Sequence, residues 1–239
     1  MISSMSDVTI ETPDGAMPAA VAEPSGEPKG GVVVIQEAFG LTDHIRDITR
    51  RLADAGWLAV APAMFHRSGS PTFEYGGDMK LLMPVFQALT VEGIDNDVAG
   101  ALALLAERGI PTERTGIVGF CMGGTVALHA ATTFPFGAAV TFYGGGVAEG
   151  RFGMAPLVEQ VTDLRAPWLG LYGDLDHGIP VDQVEALRAA AAGAPVETEV
   201  VRYAEADHGF NCDARDSYHP ESAADAWART LAWFDRHLA

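Results

Sequence analysis

Short apolar runs alternate with amphipathic stretches along most of the chain, and this alternation limits the fold more than any other feature. Each run has the length and the continuous apolar character of a strand buried on both faces. Between the runs, apolar residues recur at helical spacing, as Ile45, Ile48 and Leu52 do. Repeated strand–helix–strand units predict a mostly parallel α/β sheet with helices on both faces. The predicted strands are residues 31–36, 57–61, 115–119, 138–143, 168–172 and 197–203, and the predicted helices are residues 43–55, 94–108, 122–133, 181–192 and 222–238.

Two segments depart from this alternation. Residues 8–11 and 19–22 flank a Pro-Asp-Gly turn signal at residues 13–15 and predict a leading antiparallel hairpin. Residues 64–90 are rich in glycine and proline, and we interpret them as an insertion with a short helix that covers the substrate. The candidate apolar residues of this cover are Leu82, Met83 and Phe86.

The composition indicates one globular domain over residues 1–239, because 48% of the residues are hydrophobic and only 20% are charged. The formal net charge of −17 disfavours nucleic acids and anionic membranes as partners, since their phosphates would be repelled. No apolar run reaches the length of a membrane span, and the first residues lack the pattern of a secretory signal. Two distant cysteines do not suggest a disulfide framework. We therefore expect a cytoplasmic monomer or small homo-oligomer whose partner is a small molecule.

Cys121 lies in the sequence Gly-Phe-Cys-Met-Gly-Gly, residues 119–124, between a predicted strand and a predicted helix. This pattern has the form of a nucleophile elbow, with small residues two positions before and after the nucleophile and cysteine where serine is usual. The small residues allow strand and helix to meet in a tight turn, and the helix N-terminus favours both a thiolate and an oxyanion. The alternative is a buried structural cysteine beside glycines that pack the turn.

Asp174 and His208 each follow a later predicted strand. The order nucleophile, acid, histidine is that of the α/β-hydrolases. In such a triad the histidine takes the proton of the nucleophile, and the carboxylate fixes the imidazole tautomer. We therefore predict that Cys121, Asp174 and His208 form a catalytic triad. Asp176 is the rival acid, which we interpret as a cap of the following helix, and His177 is expected to face solvent.

A metal site is the competing use of these aspartates and histidines. The chain contains neither the H-E-x-x-H nor the H-x-H spacing, and the side chains of adjacent pairs such as Asp207 and His208 diverge. We therefore predict neither a metal ion nor a cofactor.

Five motifs together resemble those of the dienelactone hydrolases (carboxymethylenebutenolidases), a cysteine-nucleophile branch of the α/β-hydrolases. The resemblance runs from about Asp7 to the end and implies the α/β-hydrolase fold and the triad named above. It also implies an oxyanion hole formed by the backbone N–H groups of Ala38 and Met122. The motifs are Gln36-Glu37-Ala38-Phe39-Gly40 followed by Asp43-His44-Ile45-Arg46-Asp47, then residues 119–124, Tyr143-Gly144, Gly173-Asp174 and His208-Gly209-Phe210.

The resemblance further implies that Glu37 helps to activate the cysteine and that Tyr143 lines the site. A glutamate in an otherwise apolar run is costly to bury without a partner, which favours such a role. The alternatives are that Glu37 caps a turn and that Tyr143 is a core aromatic residue. Phe39 and Phe86 are further candidates for substrate binding.

The chain departs from the family where two arginines hold the substrate carboxylate. Cys212 and Met79 stand at the corresponding positions, and both are substrate-binding candidates. Lys80 is the nearby cation, with Arg67 and Arg215 as more distant substitutes. A thiol and a thioether do not reproduce a bidentate guanidinium contact, so dienelactone itself is not assigned as the substrate.

These residues predict a hydrolase that cleaves a small lactone or ester through a cysteine acyl-enzyme. One alternative is a broad carboxylesterase or thioesterase with the same triad. A second is a non-catalytic ligand-binding or interaction protein on a hydrolase scaffold.

Overall fold

The structure is a computed structural model that describes residues 3–238, apart from the side chain of Met79. Eight strands form one sheet: β1 (Ser4–Thr12), β2 (Gly15–Glu23), β3 (Gly31–Ile35), β4 (Leu58–Pro62), β5 (Thr115–Phe120), β6 (Ala138–Phe142), β7 (Trp168–Gly173) and β8 (Thr198–Tyr203). Their order across the sheet is β1-β2-β4-β3-β5-β6-β7-β8. β1 with β2 and β2 with β4 pair antiparallel, and every later pair is parallel.

Helices cover both faces of this sheet. A Cβ atom added at Gly116 of β5 would meet Phe234, whereas one added at Gly119 would meet Gly123. Positions three apart on a strand point to opposite faces, so the helices that carry Phe234 and Gly123 lie on opposite sides. The α-helices are α1 (Asp43–Asp54), α2 (Met83–Gln87), α3 (Val91–Glu107), α4 (Met122–Thr133), α5 (Leu157–Gln160), α6 (Val181–Ala191) and α7 (Pro220–His237).

The predicted fold class is confirmed: a mostly parallel sheet, helices on both faces and a leading antiparallel hairpin. The five central parallel strands, β3 to β7, are buried at every residue, as their continuous apolar runs predict. Helix α3 begins at Val91 rather than at the predicted residue 94, because the Thr90 side chain accepts a hydrogen bond from the Gly93 N–H at 3.1 Å. No helix within residues 3–238 is long and apolar enough to cross a membrane.

Residues 64–90, predicted as an insertion, contain two short 3-10 turns and helix α2. Leu82 is buried, whereas Met83 is 49% exposed, so these two predicted cover residues face different surroundings. Phe86 is partly buried and packs against the main core as well as against a small apolar cluster around Ala38.

A buried carboxylate joins the start of this segment to α3. Asp97 is fully buried and accepts hydrogen bonds from His66 Nε2 at 2.9 Å and from Arg67 at 2.8 and 2.9 Å. Arg67 also pairs with Asp14 in the hairpin turn. Arg67, one of the predicted substitute cations, is therefore engaged in a structural ion-pair network.

We expect the substitution Asp97→Ala to lower the free energy of unfolding by about 3–5 kcal/mol, because it leaves the Arg67 charge without its buried partner. The control is Asp235→Ala, which removes an ion pair with Lys29 whose side chains are about half exposed and should cost less than about 1 kcal/mol. Equilibrium urea unfolding followed by circular dichroism measures both changes. Equal losses in the two variants would contradict a buried network at Asp97.

Candidate active site

Cys121 lies at the sharp turn between β5 and α4. Its backbone has φ 56° and ψ −114°, a strained conformation for a residue with a side chain. A Cβ at Gly119 would lie 1.8 Å from the carbonyl oxygen of Gly123, and one at Gly123 would lie 2.4 Å from that of Ile35. The turn therefore requires glycine two positions before and two positions after the cysteine. It leaves the partly exposed thiol at the N-terminus of α4.

His208, in the loop after β8, connects this thiol to a carboxylate. Its Nδ1–H donates to Oδ2 of Asp176 at 2.6 Å, and the imidazole also hydrogen-bonds to Cys121. Asp176 is 4% exposed, so water competes little for this contact. The carboxyl ends of the parallel strands β5, β7 and β8 thus bring three reactive side chains together.

The thiol and the imidazole favour each other's charged form. Burial would raise the pKa of the Cys121 thiol, but the charge and the hydrogen bond of His208 outweigh it and lower that pKa below its usual value. Burial would likewise lower the pKa of His208, but the charge of Cys121 and the hydrogen bond to Asp176 raise it to about 10. Both shifts favour a thiolate beside an imidazolium over a neutral thiol beside a neutral imidazole.

The structure places Asp176, and not the predicted acid Asp174, in contact with His208. Asp174 is held by Arg202, whose Nε and Nη2 donate to its two oxygens at 2.7 Å each. Its backbone N–H donates to Tyr203 of β8, so Asp174 still follows the sheet. The carboxylate that contacts His208 is that of Asp176, which follows the turn that begins at Gly173.

The expected cap at Asp176 is also wrong. Pro180 precedes α6, and no side chain caps that helix end. Asp176 uses Oδ1 to accept the Gly178 N–H at 2.8 Å, which orients Oδ2 toward the histidine. His177 is exposed, as expected.

Glu37, two residues beyond the end of β3, is fully buried and has two partners. Tyr75 donates its hydroxyl to Oε2 at 3.1 Å, and burial keeps the pKa of that phenol well above its usual value. Arg215 Nη1 donates to Oε1 at 3.3 Å. The Arg215 guanidinium packs over the ring of Phe39. It also packs against Gly209, where an added Cβ would lie 2.4 Å from the guanidinium carbon. Sequence reasoning missed Tyr75 and treated Arg215 only as a distant substitute.

The remaining candidates have different surroundings. Cys212 is buried, and burial raises the pKa of its thiol to about 11. Lys80 is exposed. Met79 begins the 3-10 turn Met79–Leu81, and its side chain lies outside the described part of the structure. One ring nitrogen of His44, a Glu37 oxygen and the Cys212 sulfur lie within 4.8 Å of one another, a donor set that could hold a metal ion.

The space in front of Cys121 has an apolar wall. Ala38, Phe39 and Leu82 form a buried cluster, and Cys121 and Phe86 pack against it. The backbone N–H of Met122, the first residue of α4, helps to lower the pKa of the Cys121 thiol. Tyr143 is buried behind the histidine, with its ring centroid 5.1 Å from that of His208. Its hydroxyl has no hydrogen-bond partner among the described residues.

Comparison with known proteins assigns the family. The model of the dienelactone hydrolase family matches residues 17–238. A Yersinia pestis protein named "Putative carboxymethylenebutenolidase" is 38% identical over 235 residues, which cover 97% of this chain and 88% of that protein. An Escherichia coli K12 protein of the same name is 36% identical, over 98% of this chain and 93% of that protein.

A solved structure agrees with these sequences. The crystal structure described as that of a "Putative Dienelactone Hydrolase" from Klebsiella pneumoniae superposes with a TM-score of 0.89 at 39% identity. The match covers 99% of this chain and 100% of that chain. The chain therefore belongs to the dienelactone hydrolase family and is an α/β-hydrolase that acts on ester or lactone bonds.

Proposed function

We propose that this hydrolase cleaves a small lactone or ester through a thioester formed on Cys121. The observation that carries the proposal is the hydrogen-bonded chain from Cys121 through His208 to Asp176. The thiolate attacks the carbonyl carbon, and the carbonyl oxygen becomes an oxyanion. When the carbon–oxygen bond breaks, the departing alkoxide takes a proton from the His208 imidazolium, and the acyl group stays on sulfur.

Hydrolysis of the thioester then restores the ion pair. Neutral His208 takes a proton from water, and the hydroxide attacks the thioester carbon. The thiolate leaves, the acid is released, and His208 retains the proton. Asp176 stabilises the imidazolium in both halves of the cycle. The proposed oxyanion hole consists of the N–H groups of Met122, the first residue of α4, and Ala38, which belongs to the cluster that packs against Cys121.

Glu37 acts on the thiolate through its charge. The negative charge of Glu37 raises the pKa of Cys121, against the lowering that His208 produces. A thiolate of higher pKa is the stronger nucleophile, so Glu37 keeps Cys121 reactive within the ion pair. The contacts with Tyr75 and Arg215 hold the carboxylate in the position from which it acts.

The substrate is small and has an apolar part. Ala38, Phe39 and Leu82 form the wall beside the nucleophile, and Phe86 packs against this wall. Phe86 belongs to residues 64–90, which we propose as a substrate cover within a single domain. Lactones and activated esters suit this site because their leaving oxygen needs little protonation, whereas an amide nitrogen needs much. Cys121 is a free thiol, and a reducing cytoplasm is the compartment that would preserve it.

A second candidate function is a carboxylesterase or thioesterase for uncharged substrates. It is favoured by Cys212, which stands where the family resemblance implies a carboxylate-binding arginine. The nucleophile, histidine and acid would be the same.

A panel of small lactones, nitrophenyl esters and acyl thioesters tests the proposed reaction. We expect turnover of lactones and activated esters by the native protein, and a loss of at least about 1,000-fold in kcat for Cys121→Ala, because the covalent step is removed. Circular dichroism should show an unchanged fold. Turnover of esters or thioesters without lactones would select the second candidate, and undiminished turnover in Cys121→Ala would refute the cysteine mechanism.

The two aspartates provide a matched test of the acid. We expect Asp176→Asn to lower kcat by about 1,000- to 10,000-fold, because the amide no longer stabilises the His208 imidazolium. Asp174→Asn removes the same charge two residues away, where the partner is Arg202, and should lower kcat less than about 10-fold. Steady-state hydrolysis of a nitrophenyl ester compares them. A greater loss in Asp174→Asn would restore Asp174 as the acid.

A further inference from the structure

A second cluster of buried side chains with metal-binding atoms lies near the nucleophile. The proposed reaction uses one of its three members, Glu37, and assigns no role to the other two. The cluster consists of Glu37, His44 and Cys212, all three buried. One ligand atom from each, a carboxylate oxygen, a ring nitrogen and the sulfur, lies within 4.8 Å of the other two. Cys121, His208 and Asp176 are not members of this cluster.

The histidine supplies the second observation. His44 is 7% exposed, and its Nε2 has no hydrogen-bond partner in the part of the chain that the structure describes. Its Nδ1 faces Asp213 at 3.8 Å, beyond the length of a hydrogen bond. A buried ring nitrogen without a partner costs free energy, and a ligand that accepts its lone pair removes that cost.

We propose that Glu37, His44 and Cys212 form a binding site for Zn²⁺. Thiolate, imidazole and carboxylate are the three protein ligands of zinc, and three of them leave a fourth tetrahedral position for water. Ideal zinc–ligand bond lengths place such ligand atoms about 3.5 Å apart. Side-chain rotations that move these atoms by roughly 1 Å would therefore bring them to bonding distance of one zinc ion. On binding, the Cys212 S–H bond breaks, a sulfur–zinc bond forms, and the proton passes to the solvent.

Glu37 can serve the metal without losing its present partners. An ionised carboxylate has about four acceptor positions. Tyr75 and Arg215 occupy one position on each oxygen. The Glu37 carboxylate and the Cys212 thiolate together neutralise the two charges of zinc, and Arg215 remains beside Oε1.

A route from solvent leads to His44. The histidine lines a surface pocket of about 170 Å³ together with two carboxylates, Asp47 and Asp213, and one cation, Arg51. The Asp213 side chain is 78% exposed, so the pocket presents a carboxylate to solvent. The formal charge of −17 raises the local concentration of divalent cations near such a pocket.

The test uses the Cys121→Ala protein, which removes the active-site thiol as a competing ligand for zinc. Isothermal titration calorimetry with ZnCl₂ should show one site with a dissociation constant in the micromolar range or tighter. Titration with Co²⁺ should produce a thiolate-to-cobalt charge-transfer band. Absence of zinc binding, or cobalt binding without that band, would overturn the proposal.

Ligand variants in the same background assign the site. Cys121→Ala/Cys212→Ser and Cys121→Ala/His44→Gln should each weaken zinc binding at least about tenfold, with the cobalt band lost in the first. Thermal unfolding without metal checks that both variants fold. If either variant fails to fold, carbamidomethylation of Cys212 in the folded Cys121→Ala protein replaces it as the test, because bound zinc must protect this thiol from iodoacetamide. Unprotected labelling, or unchanged affinity in folded variants, would contradict the site.

Discussion

The ion pair between Cys121 and His208 is the interaction on which the proposed reaction depends. It forms where the parallel strands β5, β7 and β8 end on the same side of the sheet. The fold therefore brings Cys121, Asp176 and His208 close together. Asp176 fixes the imidazole from the far side, and Glu37 adds an opposing negative charge. The imidazolium therefore lowers the pKa of the Cys121 thiol, and the Glu37 carboxylate raises it. An intermediate pKa suits the proposed reaction, in which the thiolate is first the nucleophile and then the leaving group of the thioester.

Close backbone packing makes this balance possible. Cys121 has positive φ, and the carbonyls of Gly123 and Ile35 leave no space for side chains at Gly119 and Gly123. The strain at the cysteine is offset by the packing of α4 against the buried strands around it. The same requirement makes the elbow visible in the sequence, because glycine is the residue that these contacts permit.

The sheet, its hairpin, the elbow and the histidine were predictable because each depends on local pattern: apolar runs, turn signals and glycine spacing. The acid was not. Asp174 and Asp176 both follow β7, and the choice between them depends on Arg202, a residue of the neighbouring strand whose position no local pattern reveals. The pairing of Glu37 with Arg215 depends in the same way on the loop after His208, and the cluster with His44 and Cys212 joins three distant segments.

The pH dependence of Cys121 alkylation tests the central claim most directly. In the native protein, the rate of carbamidomethylation by iodoacetamide at Cys121, located by peptide mass spectrometry, follows the thiolate fraction. The ion pair predicts an apparent pKa clearly below about 8.5, the value of a free cysteine, and a rate at neutral pH above that of a free thiol. An apparent pKa at or above that of free cysteine would contradict the account.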